Sequence, residues 1–592
     1  TYNFFAYPRV QSITQQAGLL ASDLTTMSPV TNYGYTMLRE VSRVILPKLN
    51  TLNTMYYTGA TDYARPSAWA TADTAGNHLE ISRVLYDGMG NIKEDRVLDS
   101  INGSTPCANE LCTVYDVRRE RKFNVNRQMV ESRLYASSQD TYDGTKSYTY
   151  VAGQLDQVTD YLGVVAAFAY DSQGRLQSDT QDKKVGAPQT INAVTSYTYD
   201  NHGRTATVTS PISVTTYTEH NDFGELVLER SRTRGEMRYN YDPAGRQSQR
   251  RWTPYKSTAS IEDTCYSYDW LGRRTALDAG CGAGGAAGDW TFNYDGTNTP
   301  SGACPTQTKQ GGRLSRVSGW SSNSVSLERV LCYHPDGHIY SVHQIDGAAW
   351  SNTAARGSTL IYDLNGNLTL EMVNTSPSST ANAITIERTY DAVMQDRVAS
   401  VRTKVNGVWT QATSASTLPT YLALGGYKTL TYSNGITETN VRDFGDRLTK
   451  RKTTAGANTY TDINLSYDKN GNITLYDDST GLRHLKYYAA MDALNRLRCT
   501  SRASMSACTG ANPWEAGYNE TFDYDASGNR TKRRGGAFTT ADEDAYSYVS
   551  GPSDVIGQVT YSGTAQTWSK DYKGNLTSIT DPNIPDPNST TR

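Results

Sequence analysis

A five-residue pattern, Tyr-Asp-x-x-Gly, usually followed by Arg or Asn and then often by an aliphatic residue, recurs along this 592-residue chain. Intact copies stand at Tyr86-Asp87-Gly90-Asn91, Tyr170-Asp171-Gly174-Arg175, Tyr199-Asp200-Gly203-Arg204, Tyr241-Asp242-Gly245-Arg246, Tyr268-Asp269-Gly272-Arg273, Tyr362-Asp363-Gly366-Asn367, Tyr467-Asp468-Gly471-Asn472 and Tyr524-Asp525-Gly528-Asn529. Tyr170 to Tyr199 and Tyr333 to Tyr362 are steps of 29 residues, and Tyr241 to Tyr268 is a step of 27. A chain this long would ordinarily divide into several domains, but a period between about 20 and 50 residues marks one long array.

The residues before each tyrosine alternate, as in Tyr197-Thr198-Tyr199, Tyr239-Asn240-Tyr241, Tyr266-Ser267-Tyr268, Phe292-Asn293-Tyr294 and Phe522-Asp523-Tyr524. A period of two puts both rings on one face of a strand. Turn chemistry follows: aspartate bonds backbone amides two residues on, and glycine accepts the positive φ of a tight reversal. Each unit therefore reads as strand, turn and returning strand. The turn residues are Asp171 with Gly174, Asp200 with Gly203, Asp242 with Gly245, Asp269 with Gly272, Asp363 with Gly366, Asp468 with Gly471, and Asp525 with Gly528. In the worn copy Met491-Asp492-Ala493-Leu494-Asn495-Arg496-Leu497 the glycine slot holds Asn495, the next most tolerant residue of the left-handed region. His220-Asn221-Asp222-Phe223-Gly224, Val441-Arg442-Asp443-Phe444-Gly445 and Lys570-Asp571-Tyr572-Lys573-Gly574-Asn575 keep a glycine without the tyrosine. The stretches 279–288, 297–312 and 414–426 interrupt the period and read as long loops.

Composition agrees with a thin wall. Hydrophobic residues make up 37% of the chain and mean hydropathy is -0.60, below the roughly 45 to 50% apolar content of compact domains. There are 42 Tyr against 9 Phe and 9 Trp, and a tyrosine ring with its hydroxyl suits a surface wet on one side. The formal net charge is -3, from 57 basic and 60 acidic residues spread along the chain. That leaves no nucleic-acid footprint, the short run Lys532-Arg533-Arg534 included. No stretch of about 18 apolar residues is present to span a membrane.

Repeated Tyr-Asp-x-x-Gly-Arg with hairpin flanks resembles the RHS or YD-repeat family of bacterial RHS polymorphic toxins, toxin-complex cocoons and teneurins. The resemblance covers roughly residues 81 to 580. It implies an all-β fold in which tandem hairpins form a spiralling β-sheet shell, barrel or solenoid, enclosing a cargo domain in the toxins. Residues 1–80 lack the motif but share its composition, and are expected to be a divergent β-rich segment or cap; residues 581–592 read as an extended Pro-rich tail. RHS toxins carry a core region with aspartate-proline-glycine boxes before a variable toxin. Asp581-Pro582-Asn583 lacks the glycine of such a box, and the chain starts at Thr1 without a leader. The expectation is a chain holding neither the self-cleaving core nor the effector.

Eight cysteines fall in local couples: Cys107 with Cys112, Cys265 with Cys281, Cys304 with Cys332, and Cys499 with Cys508. None forms a CxxC pair, which favours disulfides in an oxidising compartment, although sequence leaves connectivity open; the other reading is free thiols in a cytosolic protein. The densest group of metal-ligand types is Cys332, His334, His338 and His343. Aligned to the repeat, however, His334 takes the Asp slot and His338 the Arg slot, so a structural role is expected and no metal or other cofactor. No catalytic motif is recognisable, and the repeated aspartates have a complete structural role in their turns.

The expected function is the non-enzymatic shell of a secreted bacterial RHS-type toxin. Its partners would be its own C-terminal core or toxin domain, or further shell subunits. The alternative is a cell-surface structural or adhesion protein, teneurin-like, binding glycans or partner proteins. A sheet of about 5,000 Å² closed as a sphere leaves an inner radius of about 15 Å, room for a cargo of only roughly 11 kDa. A larger shell or a filament is therefore expected.

Overall fold

The structure is a computed structural model. It describes strands between Tyr2 and Thr580. Side chains are described for residues 81–97, 117–138, 140–183, 191–254, 261–281, 289–297, 310–319, 327–344, 357–363, 366–373, 384–391, 397–405, 407–414, 416–422, 424–480, 485–502, 520–535, 543–548 and 556–560, and at a few isolated positions. The tail 581–592 lies outside the described residues.

The described residues form strands and turns without a helix, in a sheet of 31 strands and a second of 14. Within each sheet a strand pairs antiparallel with the next in sequence, as Val165–Tyr170 does with Leu176–Gln181 and that strand with Ala193–Tyr199. The chain is thus one meandering ribbon. Strands within residues 1–80, such as Val30–Tyr35, Val41–Ile45 and Leu52–Tyr56, pair in the same manner and belong to the first sheet. Between the two sheets Thr413 bridges Tyr432, and the Ser414 N–H donates to the Thr431 carbonyl at 2.7 Å.

One hairpin explains the rest. The Asp171 N–H donates to the Arg175 carbonyl at 2.9 Å and the Gly174 N–H to the Asp171 carbonyl at 3.0 Å. Gly174 has φ +82°, the type I turn with a left-handed closing residue that three-residue hairpin loops favour. Pairing slips by one between Ala169, opposite Ser178, and Tyr170, opposite Leu176, leaving an extra residue on the returning strand. This bulge recurs before Tyr199, Tyr241, Tyr268, Tyr333, Tyr362, Tyr390, Tyr467 and Tyr524. Such bulges bend the strand and increase its twist, so their repetition at one edge coils the ribbon.

Two turns depart from the sequence reading. In the copy around residue 444 the positive φ falls on Asp446 (64°), not on Gly445. Asp443 accepts from the Arg447 N–H at 2.9 Å, so the motif sits one residue later than the glycine suggests. Gly445 lies against the other winding, where a Cβ would come 3.4 Å from the Tyr135 carbonyl, an ordinary contact distance, so neither φ nor space demands glycine there. The stretch 414–426, expected as a loop, contains a worn hairpin: Thr420–Tyr421 pairs with Tyr427–Thr431 with the usual slip, and the Gly425 N–H donates to the Leu422 carbonyl at 2.9 Å. Loss of the aspartate hid it, because the backbone turn closes without that side chain.

The wall is thin. The accessible surface is 32937 Å², against about 21,000 Å² for a compact monomer of this mass. Among the described residues the fully buried side chains are few and mostly small: Ile81, Val330, Val559, Asp182, Cys332, Cys499, Ser315, Ser341 and Ser501. Along Ala193–Tyr199 positions alternate between half-buried Tyr197 and Tyr199 and exposed Ser196 and Thr198. Stability therefore rests on strand pairing and half-buried aromatic contacts. Asn495 sits at φ 59°. Asn495→Gly is expected to hold or raise the denaturation midpoint, whereas Asn495→Val should cost about 1–2 kcal/mol in urea unfolding, the left-handed penalty of a residue with a branched Cβ.

Candidate functional site

The repeat's polar residues assemble into a ladder along the turn edge of the ribbon. Asp200 shows the unit: one carboxylate oxygen accepts the N–H groups of His202 and Arg204, each at 2.9 Å, and the other accepts the Arg204 guanidinium at 2.7 Å. Asp171, Asp242 and Asp269 repeat this with Arg175, Arg246 and Arg273, as do Asp443 with Arg447 and Asp492 with Arg496. Where Asn replaces Arg, Asn91, Asn367, Asn472 and Asn529 bond Asp87, Asp363, Asp468 and Asp525.

Each arginine also reaches the next repeat. Arg246 donates to the Asp269 carbonyl at 2.9 Å, Arg447 to that of Asp468 at 3.0 Å, and Arg496 to that of Asp525 at 2.6 Å. The same guanidiniums lie over the next tyrosine ring, Arg175 over Tyr199 at 4.5 Å, Arg246 over Tyr268 at 4.8 Å, Arg447 over Tyr467 at 5.0 Å and Arg496 over Tyr524 at 4.9 Å. The tyrosine hydroxyl reaches back. Tyr199 donates to the Leu176 carbonyl at 2.7 Å, Tyr241 to Leu226 at 2.8 Å, Tyr390 to Leu368 at 2.8 Å and Tyr467 to Leu448 at 2.6 Å. Tyr421 of the worn hairpin makes the same bond to Val398, at 2.5 Å. The aliphatic residue after the motif thus supplies a carbonyl that the preceding bulge frees.

A second arrangement was invisible in the sequence. The turns of the second sheet meet the opposite edge of the first: Asn470 donates to the Asp160 carboxylate at 2.6 Å across 310 residues, and the Phe444 N–H donates to the Ala136 carbonyl at 3.3 Å. Lys469 lies beside Gly144, and Arg447 adds its charge near Asp143. Burial raises the Asp143 carboxyl, but the hydroxyl and N–H of Ser137, the N–H of Ala136 and the Arg447 charge together hold it below the usual range. The ribbon therefore coils, and one winding takes about the 310 residues of that contact. Beneath this seam Tyr135 donates to Glu120, Arg133 pairs with Glu120 at 3.0 Å, and Arg118 lies 4.3 Å from the centre of the Tyr135 ring.

Cys265–Cys281 and Cys304–Cys332 are disulfides. Cys499 is also disulfide-bonded; Cys508, Cys107 and Cys112 lie outside the described residues. The Cys332 sulfur is therefore no thiolate ligand, and among the described residues no group of three His, Cys, Asp or Glu side chains converges on a metal position. His334 takes the Asp slot: its N–H donates to the His338 carbonyl at 2.8 Å, and its ring meets Tyr340 and Tyr362 edge-on. His338 lies against Tyr362, with ring centres 4.8 Å apart. Buried His343 bonds the Ser341 hydroxyl at 3.0 Å, and burial lowers its pKa.

A coiling ribbon of antiparallel hairpins tied by this ladder has the fold of an RHS-repeat shell wall. Among solved structures it is similar to the crystal structure of TcdB2-TccC3-Cdc42, with TM-score 0.66 and 12% identity, over 95% of this chain and 30% of that one. It is also similar to a chain of the Photorhabdus luminescens Tc holotoxin pore carrying a TccC3 substitution, with TM-score 0.65 and 12% identity, over 93% of this chain and 29% of that one. TcdB2-TccC3 without its hypervariable C-terminal region matches with TM-score 0.62 and 12% identity, over 96% of this chain and 29% of that one. The chain thus spans under a third of the length of these structures. No protein-family model and no curated protein matches the sequence.

The ladder makes the fold acid-sensitive. Burial raises Asp200, but the N–H groups of Arg204 and His202 and the Arg204 guanidinium outweigh it and hold the carboxyl at about 2. Asp171, Asp242 and Asp269 are lowered in the same direction. A carboxyl lowered by folding adds stability above its unfolded value, lost as pH falls through the folded one. Unfolding followed by tyrosine circular dichroism is therefore expected to become easier from about pH 4 down to about pH 2, with Asp200→Asn flattening part of that dependence. Tyr199→Phe removes one hydroxyl bond between repeats and should cost about 1 kcal/mol in denaturant unfolding.

Proposed function

We propose that this chain forms part of the wall of an RHS-type toxin shell, a non-enzymatic container that encloses or presents an effector polypeptide outside the producing bacterium. The observation that carries this reading is the contact between Asp160 and Asn470 across 310 residues. A ribbon that meets its own edge after one winding bounds a volume, whereas a flat meander does not. The fold shared with Tc toxin chains supports it, as does an accessible surface well above that of a compact monomer.

The ladder suits this work. Its bonds run between neighbouring repeats, so the wall stiffens without a thick core that would fill the interior. Small-angle X-ray scattering of the chain should give a radius of gyration above the roughly 25 Å expected of a compact domain of this length. A scattering curve fitting a filled globule would count against a shell. Effector co-expressed with the complete shell should resist protease until the wall is unfolded by acid.

The disulfides Cys265–Cys281 and Cys304–Cys332 favour an extracellular setting. They also support the second reading, a cell-surface adhesion protein that binds glycans through its tyrosines. Glycan-array binding weakened by Tyr217→Ala or Tyr460→Ala, both exposed tyrosines, would favour adhesion over enclosure.

A further inference from the structure

The chain has seven histidines, and His334, His338 and His343 stand together in one hairpin, 326–346. Its strands Ser326–Tyr333 and Ile339–Asp346 set Cys332 opposite Ser341 and Val330 opposite His343. In a wall with few fully buried side chains, Val330, Cys332, Ser341 and the neighbouring Ser315 have no exposure, while His334 is 2% exposed and His343 7%. Cys304, joined to Cys332, packs against Val330. Two titratable rings are thus enclosed at one of the most deeply buried places in the ribbon.

The surroundings suit neutral imidazoles. His334 Nε2 donates to the Leu360 carbonyl at 3.3 Å, and Tyr340 and Tyr362 flank the ring with centres 5.1 and 5.7 Å away. Among the described residues its buried Nδ1 has no hydrogen-bond partner. An N–H at that nitrogen would find no acceptor, and a buried donor left unsatisfied costs free energy. The His343 ring lies across Gly357, where a Cβ would come 2.8 Å from Nδ1, and its Nε2 meets the Ser341 hydroxyl at 3.0 Å. Burial lowers its pKa. The charged groups on the surrounding elements are engaged with other partners. Arg313, just before Leu314–Trp320, lies over the Tyr333 ring at 5.4 Å, and Arg316 on that strand pairs with Glu328 at 2.9 Å. Arg329 donates to Gln344, Asp336 meets exposed His338 Nδ1 at 3.2 Å, Asp363 accepts from Asn367, and Glu371 pairs with Arg388. Burial raises the Tyr333 and Tyr362 hydroxyls, so neither supplies an anion.

A histidine whose folded pKa lies below its unfolded value adds stability that is whole above about pH 6.5 and is lost as pH falls below it, because the opened ring takes up the proton first. The turn aspartates fail only in stronger acid, Asp200 being held at about 2. We propose that hairpin 326–346 is an acid-released panel of the wall: mild acid protonates His334 and His343, and the panel parts from its neighbours Leu314–Trp320 and Arg356–Tyr362 while the aspartate turns keep the rest of the ribbon folded. In this turn an imidazole stands where the intact copies keep a carboxylate. The Cys304–Cys332 disulfide tethers the open panel, so it closes again when the acid is removed. The device acts on the wall whatever the wall encloses, and its failure would leave the enclosure reading standing.

Amide hydrogen–deuterium exchange of the wild-type chain at about pH 7.5 and about pH 5.5, corrected for intrinsic rates, reads the panel directly. Its opening constant should rise at least about tenfold in the acid, the change that one histidine supplies over this range, and up to about a hundredfold for two. Protection of Ala193–Tyr199 and Thr205–Thr209 should stay as it is. The double variant His334→Gln, His343→Gln keeps polar groups at both positions and should lose the acid step. His202→Gln, at an exposed turn histidine, should keep it. Should the double variant fail to fold, exchange of the imidazole C2–H in the wild-type chain, read by mass spectrometry, decides the matter: His343 should be half-protonated only below about pH 6.5. A panel equally protected at both pH values would overturn the proposal. So would loss of protection spread evenly over the ribbon, a His343 that titrates at or above its ordinary value, or an acid step that the double variant retains.

Discussion

In the copies that carry arginine, the guanidinium that closes a turn also holds the next one. Arg246 pairs with the Asp242 carboxylate of its own turn at 2.6 Å, donates to the Asp269 carbonyl of the following turn, and lies over the Tyr268 ring. A planar, permanently charged fork can do all three at once; a lysine ammonium, a point charge without a stacking face, cannot. Because each arginine spans a repeat boundary, local turn geometry and ribbon growth are one constraint. The Tyr268 hydroxyl completes it by donating back to the Gln247 carbonyl at 2.8 Å.

No single link in this ladder is strong. A stacked guanidinium contributes about 0.5–1 kcal/mol at an exposed site, and a hydroxyl bond about 0.5–1.5 kcal/mol. Stability in such an array is a sum of small boundary terms. Copies with Asn in place of Arg, such as Asn472, keep the bond to the turn aspartate. Worn copies persist for that reason: Tyr421 retains its bond to the Val398 carbonyl and lies under Arg397 at 5.2 Å although its turn lacks the aspartate. Disulfides at Cys265–Cys281 and Cys304–Cys332 tie the ribbon where long connections interrupt the period, with sequence separations of 16 and 28. Loops of that order gain about 3 kcal/mol from closure in the chain-entropy account.

Coiling adds a second level of contact. Phe444, Gly445, Lys469 and Asn470 belong to turns of the same kind as those around Trp270, and in these turns the repeat also meets another winding. At the seam, the turn's positive φ passes from the glycine to Asp446.

Sequence by itself determined the hairpin, because its signals are local: alternation before the tyrosine, an aspartate that bonds amides two and four residues on, and a glycine or Asn495 with positive φ. It also showed why His334 and His338 belong to a turn, since their spacing follows the repeat. It missed the hairpin at Tyr421, whose side-chain signature is lost while its backbone pattern remains. The tertiary structure alone decided the partnership of Asp160 with Asn470 and the difference between half-buried Phe444 and exposed Trp270. Those depend on the twist and bulge summed over many hairpins, and a summed angle sets where distant edges meet without leaving a mark on any one repeat.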